Sequence, residues 1–472
     1  MTLATMGIDT YQLTTLVAHA REGRLNQRVA MAFFSRALPP VRNYLVFCGL
    51  RAIREHASAM SFDPRDLDAL LTHPLLGPAL REEPAVLEAL RGIDGFEGDI
   101  DALPEGTLAF AGKAVRTDGS AATIAGAPLF VYIPYLQVKT DLVRAKLIET
   151  PWLGFINHMT MVASKAARVV DAAGGKTVLE FGARRTHPAA ATDASYAAHL
   201  AGCSATSNLA AFVRYGIPAT GTMDHFAVQA SEQDGVALED SEGSFFKAFQ
   251  RSFPDAASLL VDTYDTERGI RIAVKATEGK LTGIRLDSNV SVESARRARR
   301  LLDDLGAPHA KIFASDSLDE TKVRELAEVV DGFGVGERIA CSPDAPTGVG
   351  AVAKLVVNGY GKVTMKFARG SGKATLPGEL QVYRHDDHDV VALAHEAPPS
   401  GGVPLLTPVW RGKKAVGPVP SLKESRAHVR AQIEALPSPL RRTDGEHQPR
   451  TLVASEALVA LIERLTRDAV RD

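Results

Sequence analysis

From about residue 150 to 345 the chain alternates short apolar runs with amphipathic stretches, and that alternation limits the fold more than any other feature. MTMVASKAARVVDAAGG reads as an amphipathic helix closed by Gly174-Gly175, ahead of the strand TVLEFG. TGIRLDS reads as a strand, SVESARRARRLLDDLG as a helix opened by a Ser cap, and AKIFAS as a further strand. Ser317-Leu318-Asp319-Glu320 has the form of a capping box for DETKVRELAEVV, and DGFGVGE closes the repetition. Alternating units of this length fit a barrel or a doubly wound sheet, and periodicity does not choose between them.

The flanks read differently, dividing the chain into 1–140, 141–350 and 351–472. The first part mixes helical patterns (YQLTTLVAHAREG, PRDLDALLTHPLL, PAVLEALRGI) with strand-like ones (RVAMAFFSRA, TLAFAG, PLFVYIP). The last has strand-like KLVVNGYGKVTMKF and LQVYRH, a polar Pro- and Gly-rich stretch around 385–420, and terminal helices. A net charge of −2 gives no footprint for nucleic acid or an anionic membrane, so any anion binding has to be local. Cys48, Cys203 and Cys341 lack metal-type spacing and read as reduced thiols of a cytoplasmic protein. Neither a signal peptide nor a membrane-spanning run is evident.

Chemistry concentrates in residues 178–225. The apolar run VLEF opens onto Arg184 and Arg185; Thr206-Ser207-Asn208 then caps a helix, LAAFVRYG, that Gly216 closes. IPATGTM reads as the next strand, ending at Asp224-His225. In a parallel α/β arrangement these strand ends converge on one face, where two arginines, capping N–H groups and a carboxylate-flanked histidine suit a ligand with phosphates and an acid group. Most histidines are ordinary core or surface residues, but a carboxylate on one ring nitrogen makes the other a nucleophile. Asp262, in LLVDTYDT, is the better orienting candidate beside Asp224. Arg285 sits inside an apolar strand pattern and therefore needs a partner. Asp287 follows it, and the glycines of DGFGVGE suit a backbone nest for a phosphate.

EFGARR, TSN, GIPATGT with a His three residues past the Thr, LLVDTYDTERG, GIRLDS and DGFGVG occur in the order that nicotinate phosphoribosyltransferases use. DTYQLT, RNYLVFCGL, GKATLPGELQVYR and PSLKESRAHVRAQIEALP resemble the same family, so the resemblance runs over almost the whole chain. It implies an α/β fold: a half-open (β/α) barrel beside a mixed α+β domain assembled from both chain ends. It further implies an enzyme of NAD salvage that joins nicotinate to PRPP with Mg²⁺ and gives nicotinate mononucleotide and pyrophosphate. ATP, as co-substrate, would phosphorylate His225, with Asp224 and Asp262 as acidic partners. Arg184, Arg285, Asp287 (for Mg²⁺ or ribose hydroxyls), Ser315, Gly334 and Gly336 would meet donor or acceptor. Phe181 and Tyr11, the latter lent by a second subunit of a homodimer, would sandwich the pyridine. Related enzymes that use nicotinamide carry an aspartate matching Ser207, so Ser207 favours nicotinate.

Three positions depart from the family pattern. LDSGD becomes Leu286-Asp287-Ser288-Asn289-Val290, the SN or SG before LDE becomes Ser315-Asp316-Ser317, and Gly336 is followed by Glu337 in place of Thr. Two of these add carboxylates near the expected 5′-phosphate, where Glu337 either turns away or pairs with Arg338. They keep open a paralogue acting on another heterocycle or ribosyl donor, or a weakly catalytic ligand-binding homologue. Arg296-Arg297-Ala298-Arg299-Arg300 reads as a solvated helix face, not a nucleic-acid site, and His385-Asp386-Asp387-His388 as a surface turn. Lys165 and Lys373 fall in family-like segments within approach of phosphates, but neither is assigned to the site. Asn157-His158 sits just before the first barrel helix.

Overall fold

The computed structural model describes residues 5–255, 258–342, 344, 348–367, 374–442 and 449–469, and Lys373 lies outside them. It separates into two units, Met1–Met161 with Thr347–Asp472, and Val162–Pro346.

The second unit is built on a curled, all-parallel six-stranded sheet. Its strands are β1 (Thr177–Glu180), β2 (Ala205–Thr206), β3 (Ser258–Leu260), β4 (Gly283–Leu286), β5 (Lys311–Ala314) and β6 (Gly332–Val335), in the order β2-β1-β6-β5-β4-β3. The last strand inserts between β1 and β5, with Thr177 opposite Gly332 and Ala314 opposite Phe333. The two edges, β2 and β3, are not paired to each other, so the barrel stays half-open. Helices follow each strand, among them Pro188–Leu200 after β1, Thr266–Ala276 after β3 and Val292–Asp304 after β4. Amphipathic periodicity turns one face of these helices onto the sheet: Ile270, Ala273 and Ala298 are fully or almost fully buried.

Local signals explain most boundaries. Asn208 accepts the Ala210 N–H as N-cap of Leu209–Tyr215, and Gly216 ends that helix in the left-handed region at φ 67°. Ser291 and Ser294 cap Val292–Asp304 reciprocally. Two expectations need correction. Ser317 is not a cap; Asp319 is, accepting from Thr321 N and Lys322 N, because its carboxylate reaches two donors at once. IPATGTM is not a strand either. Pro218 and Gly221 leave only an isolated bridge, Thr206 to Ala219, at the sheet edge.

The first unit holds two further six-stranded sheets. One is antiparallel, ordered Ala351–Val357, Arg28–Ser35, Leu136–Asp141, Gly98–Ala102, Thr407–Gly412 and Lys414–Ala415. Over it Trp152 packs against Phe33 and Phe96, and Phe96 against Trp410. The other is mixed and joins Val403–Pro404, Leu380–Arg384, His388–Leu393, Thr451–Ala454, Ala111–Val115 and Phe130–Tyr132. The stretch 385–420 therefore contains strands that its Pro and Gly content hides. His385–His388 is the turn between two of them, with the two imidazoles stacked at 4.4 Å. Asn157 and His158 lie inside one long helix, Leu142–Ala172, and not ahead of it; Asn157 Oδ1 accepts the Ala351 N–H. Among the described residues no helix is long and apolar enough to cross a membrane.

Candidate active site

The residue just past each strand of the half-barrel faces one cavity or its immediate margin. Phe181 follows β1, Ser207 follows β2, Asp262 comes two residues after β3, Asp287 follows β4, Ser315 follows β5 and Gly336 follows β6. Carboxyl ends of parallel strands gather side chains from distant points of the chain, which is why such folds place sites there. The cavity, about 940 Å³, is lined by Phe181, Arg184, Ser207, Asp224, His225, Arg285, Asp287, Ser315, Gly334 and Gly336, and also by Asp316 and Glu337. Asp262 is not on its lining but touches it through a hydrogen bond.

His225 begins a five-residue helix, His225–Gln229, rather than ending a strand. Its Nδ1 lies 3.1 Å from Thr263 Oγ1, and its Nε2 lies 3.6 Å from Asp287 Oδ2. The two carboxylates expected to orient the ring are otherwise engaged. Asp224 caps the short helix by accepting the Ala227 N–H at 3.0 Å. Asp262 Oδ2 accepts the Asp287 N–H at 2.6 Å, and its other oxygen is buried without a hydrogen-bond partner. Burial is the largest influence on Asp262 and raises its pKa, with the His225 and backbone interactions opposing.

Arg285 projects from β4. Its Nη1 is 3.4 Å from Thr222 Oγ1, and its Nε is buried without a hydrogen-bond partner. Burial lowers its pKa, while Asp287 and Asp262 pull it back up, so it stands as a desolvated cation aimed at the cavity. Arg184 is exposed on the β1 loop. Ser315 Oγ donates to Asp287 Oδ1 at 2.7 Å, fixing one carboxylate oxygen and leaving the other toward His225.

Two glycines of β6 make room for aromatic rings. Gly332 and Gly334 lie within the extended strand, and neighbouring rings rest on them. A Cβ on Gly334 would run into the Phe181 ring, 2.5 Å from Cδ2, and one on Gly332 would meet Phe313 Cε1 at 2.5 Å. Gly334 thus makes room for the Phe181 ring beside the strand, and Gly336 caps the short helix Glu337–Ala340.

The departures are structurally accommodated. Asn289 takes φ 53°, the left-handed conformation for which glycine is the usual residue and which Asn tolerates better than most. Asp316 Oδ2 accepts the Val290 N–H at 3.1 Å. Glu337 stands on the cavity rim and pairs at 3.8 Å with Arg185, not with Arg338. Lys165 is away from the cavity lining. It is buried between Glu320 (2.7 Å) and Asp344 (3.1 Å), with Arg168 completing the cluster. Tyr11 belongs to the first unit, half exposed on Thr10–Arg21 with the Lys146 ammonium 5.2 Å from its ring centroid.

Two residues escaped the sequence reading. Thr263 gave only its adjacency to Asp262. Buried Glu180 ties β1 to its neighbours by accepting from Ser195 Oγ at 2.9 Å, Thr206 Oγ1 at 2.6 Å and the Gly182 N–H. Among the described residues no group of three or more His, Cys, Asp or Glu could hold a metal by itself. Asp287 alone at the cavity fits Mg²⁺, which keeps its waters and takes one or two carboxylates plus substrate phosphates.

The family model for the quinolinate phosphoribosyl transferase C-terminal domain matches residues 162–344, the half-barrel unit. The chain is 35% identical over 470 residues to nicotinate phosphoribosyltransferase pncB2 of Mycobacterium tuberculosis, covering 97% of this chain and 93% of that one. It is 34% identical over 411 residues to the Bacillus subtilis nicotinate phosphoribosyltransferase, covering 82% and 76%. The crystal structure of human nicotinic acid phosphoribosyltransferase matches with a TM-score of 0.78 at 26% identity, over 97% of this chain and 99% of that one. With relatives this similar along nearly its whole length and the half-barrel they share, the chain belongs to the nicotinate phosphoribosyltransferase family.

Proposed function

We propose that this protein joins nicotinate to PRPP, giving nicotinate mononucleotide and pyrophosphate, and couples the reaction to ATP hydrolysis through a phosphate carried on His225. The observation that carries the reading is the convergence, in one cavity, of a desolvated Arg285, a second cation at Arg184, an aromatic wall at Phe181 and the His225–Asp287 pair.

The transfer breaks the C1–O bond to pyrophosphate and forms a bond from C1 to the pyridine nitrogen, through a state with cationic character at C1. Arg285 and Arg184 hold the anionic donor and stabilise the charge that builds on the leaving pyrophosphate. Phe181, given room by Gly334, aligns the planar acceptor, and Tyr11 of a second subunit supplies the opposite face. Bound with the pyrophosphate, Mg²⁺ supplies further charge neutralisation, and Asp287 would hold it. Thr263 Oγ1 holds Nδ1–H as the donor, which leaves the Nε2 lone pair, 3.6 Å from Asp287 Oδ2, to take the phosphoryl group from ATP as ADP leaves. Hydrolysis of that phosphohistidine drives nucleotide formation. The free cysteines Cys48, Cys203 and Cys341 suit the reducing cytoplasm, and the lent Tyr11 calls for a homodimer.

Ser207, exposed at the cavity, places no charge against the acceptor carboxylate. The test is product formation from PRPP with nicotinate or nicotinamide, in the native protein and in Ser207→Asp. The native protein is expected to use nicotinate at least tenfold better, and the variant to lose most of that preference through like-charge repulsion worth about 1.4 kcal/mol or more. A native preference for nicotinamide would overturn the assignment. Asp316 and Glu337 on the lining favour a second reading, an acceptor or ribosyl donor less anionic than these two. Absence of product from both pyridines would select it.

A further inference from the structure

The loops that follow β4 and β5 are laced together. Ser315 Oγ binds Asp287 Oδ1 at 2.7 Å, and Asp316 Oδ2 takes the Val290 N–H at 3.1 Å. At its start the β4 loop is held by Asp262, which takes the Asp287 N–H. Carboxylates therefore grip this segment at both ends. Between them Asn289 sits at φ 53°, a conformation that costs a residue with a Cβ and persists where its surroundings over-determine it. The segment's first side chain, Asp287, is the one that faces His225 Nε2.

We propose that Asp316 is a positioning residue: by holding the Val290 N–H it keeps the Asn289 turn in place, and through that turn keeps the Asp287 carboxylate between Ser315 and His225. The proposal rests on the phosphoribosyl-transfer reading for its kinetic consequence. Its structural content, one hydrogen bond that sets one loop, is independent of that reading. Asp316 also lines the cavity, so the competing account is that its negative charge meets a ligand directly.

Two substitutions separate the accounts. Asp316→Asn keeps an amide oxygen within reach of the Val290 N–H but removes the charge; Asp316→Ala removes both. Steady-state kinetics would be paired with hydrogen–deuterium exchange of the peptide spanning Leu286–Ser291. Asp316→Ala is expected to lower kcat roughly ten- to hundredfold, the scale of a catalytic group displaced by about an ångström. Its KM for nicotinate is expected to stay close to native, and its 286–291 peptide to exchange faster. Asp316→Asn is expected to retain kcat within about threefold of native, the difference between a charged and a neutral acceptor, with native-like exchange. The proposal is overturned if Asn costs as much as Ala while exchange stays native, or if Ala leaves kcat and exchange unchanged. If the native protein makes no nucleotide, the functional reading fails, and the exchange comparison alone then decides the role of Asp316.

Discussion

At position 334 the lack of a side chain gives the Phe181 ring its place on the cavity lining. A Cβ there would overlap the Phe181 ring, so the ring has to shift from its place beside β6. Gly334→Ala is expected to cost about 1–3 kcal/mol in denaturant unfolding and to raise the KM for nicotinate more than that for PRPP. Equal effects on both KM values would mean that Phe181 does not face the acceptor. Individual residues were legible where their chemistry conflicted with their surroundings. Arg285 stood out because a guanidinium inside an apolar strand has to answer to something, and the structure aims it into the cavity. Thr263 did not stand out, since a threonine beside a strand is unremarkable until the fold brings it to 3.1 Å from His225. Asp224 is legible from its place next to His225 and Asp262 from its place near a strand end, and neither signal reveals that a backbone N–H takes one oxygen of each carboxylate.

Among the elements, the helix Leu238–Ser252 carries a carboxylate in a costly place. Glu242 is buried and leaves Oε1 without a hydrogen-bond partner; burial pushes its pKa up to about 7, with Arg268 opposing and Asp265 and Glu239 adding to the rise. A carboxyl group whose folded pKa is raised binds its proton more tightly in the folded state. Its contribution to stability is full below the ordinary value of 4.5 and is lost as pH rises to about 7. Tm of the native protein is therefore expected to fall between pH 5 and 8 relative to Glu242→Gln; parallel profiles would refute this. Charge is better satisfied where Leu142–Ala172 enters the half-barrel unit. Removing Lys165 from between buried Glu320 and half-buried Asp344 takes away the ammonium that both carboxylates share with Arg168. Lys165→Met is expected to lower unfolding free energy by about 3–5 kcal/mol, measured by denaturant titration. Elements with capping and strong amphipathy were legible almost to the residue, as at Ser291 and Asn208. The short strands between 385 and 420 were not. Long-range pairing, such as Thr407 to Ala102, stabilises them, and local composition carries no trace of it.

For the whole molecule, alternation announced a parallel sheet with helices but not the order of its strands. The insertion of β6 between β1 and β5 leaves β2 and β3 as open edges, with the chain between them free to carry His225 to the cavity. One unit thus brings two arginines, Arg184 and Arg285, the Phe181 ring and His225 to one cavity, an arrangement suited to joining a planar acid to a phosphorylated sugar. The measurement that tests this account most directly is nicotinate mononucleotide formation from nicotinate and PRPP with Mg²⁺, with and without ATP, in the native protein and in His225→Ala. The account predicts that ATP stimulates the native protein and leaves the variant's residual, ATP-free transfer unchanged. Equal ATP stimulation in both proteins would contradict it.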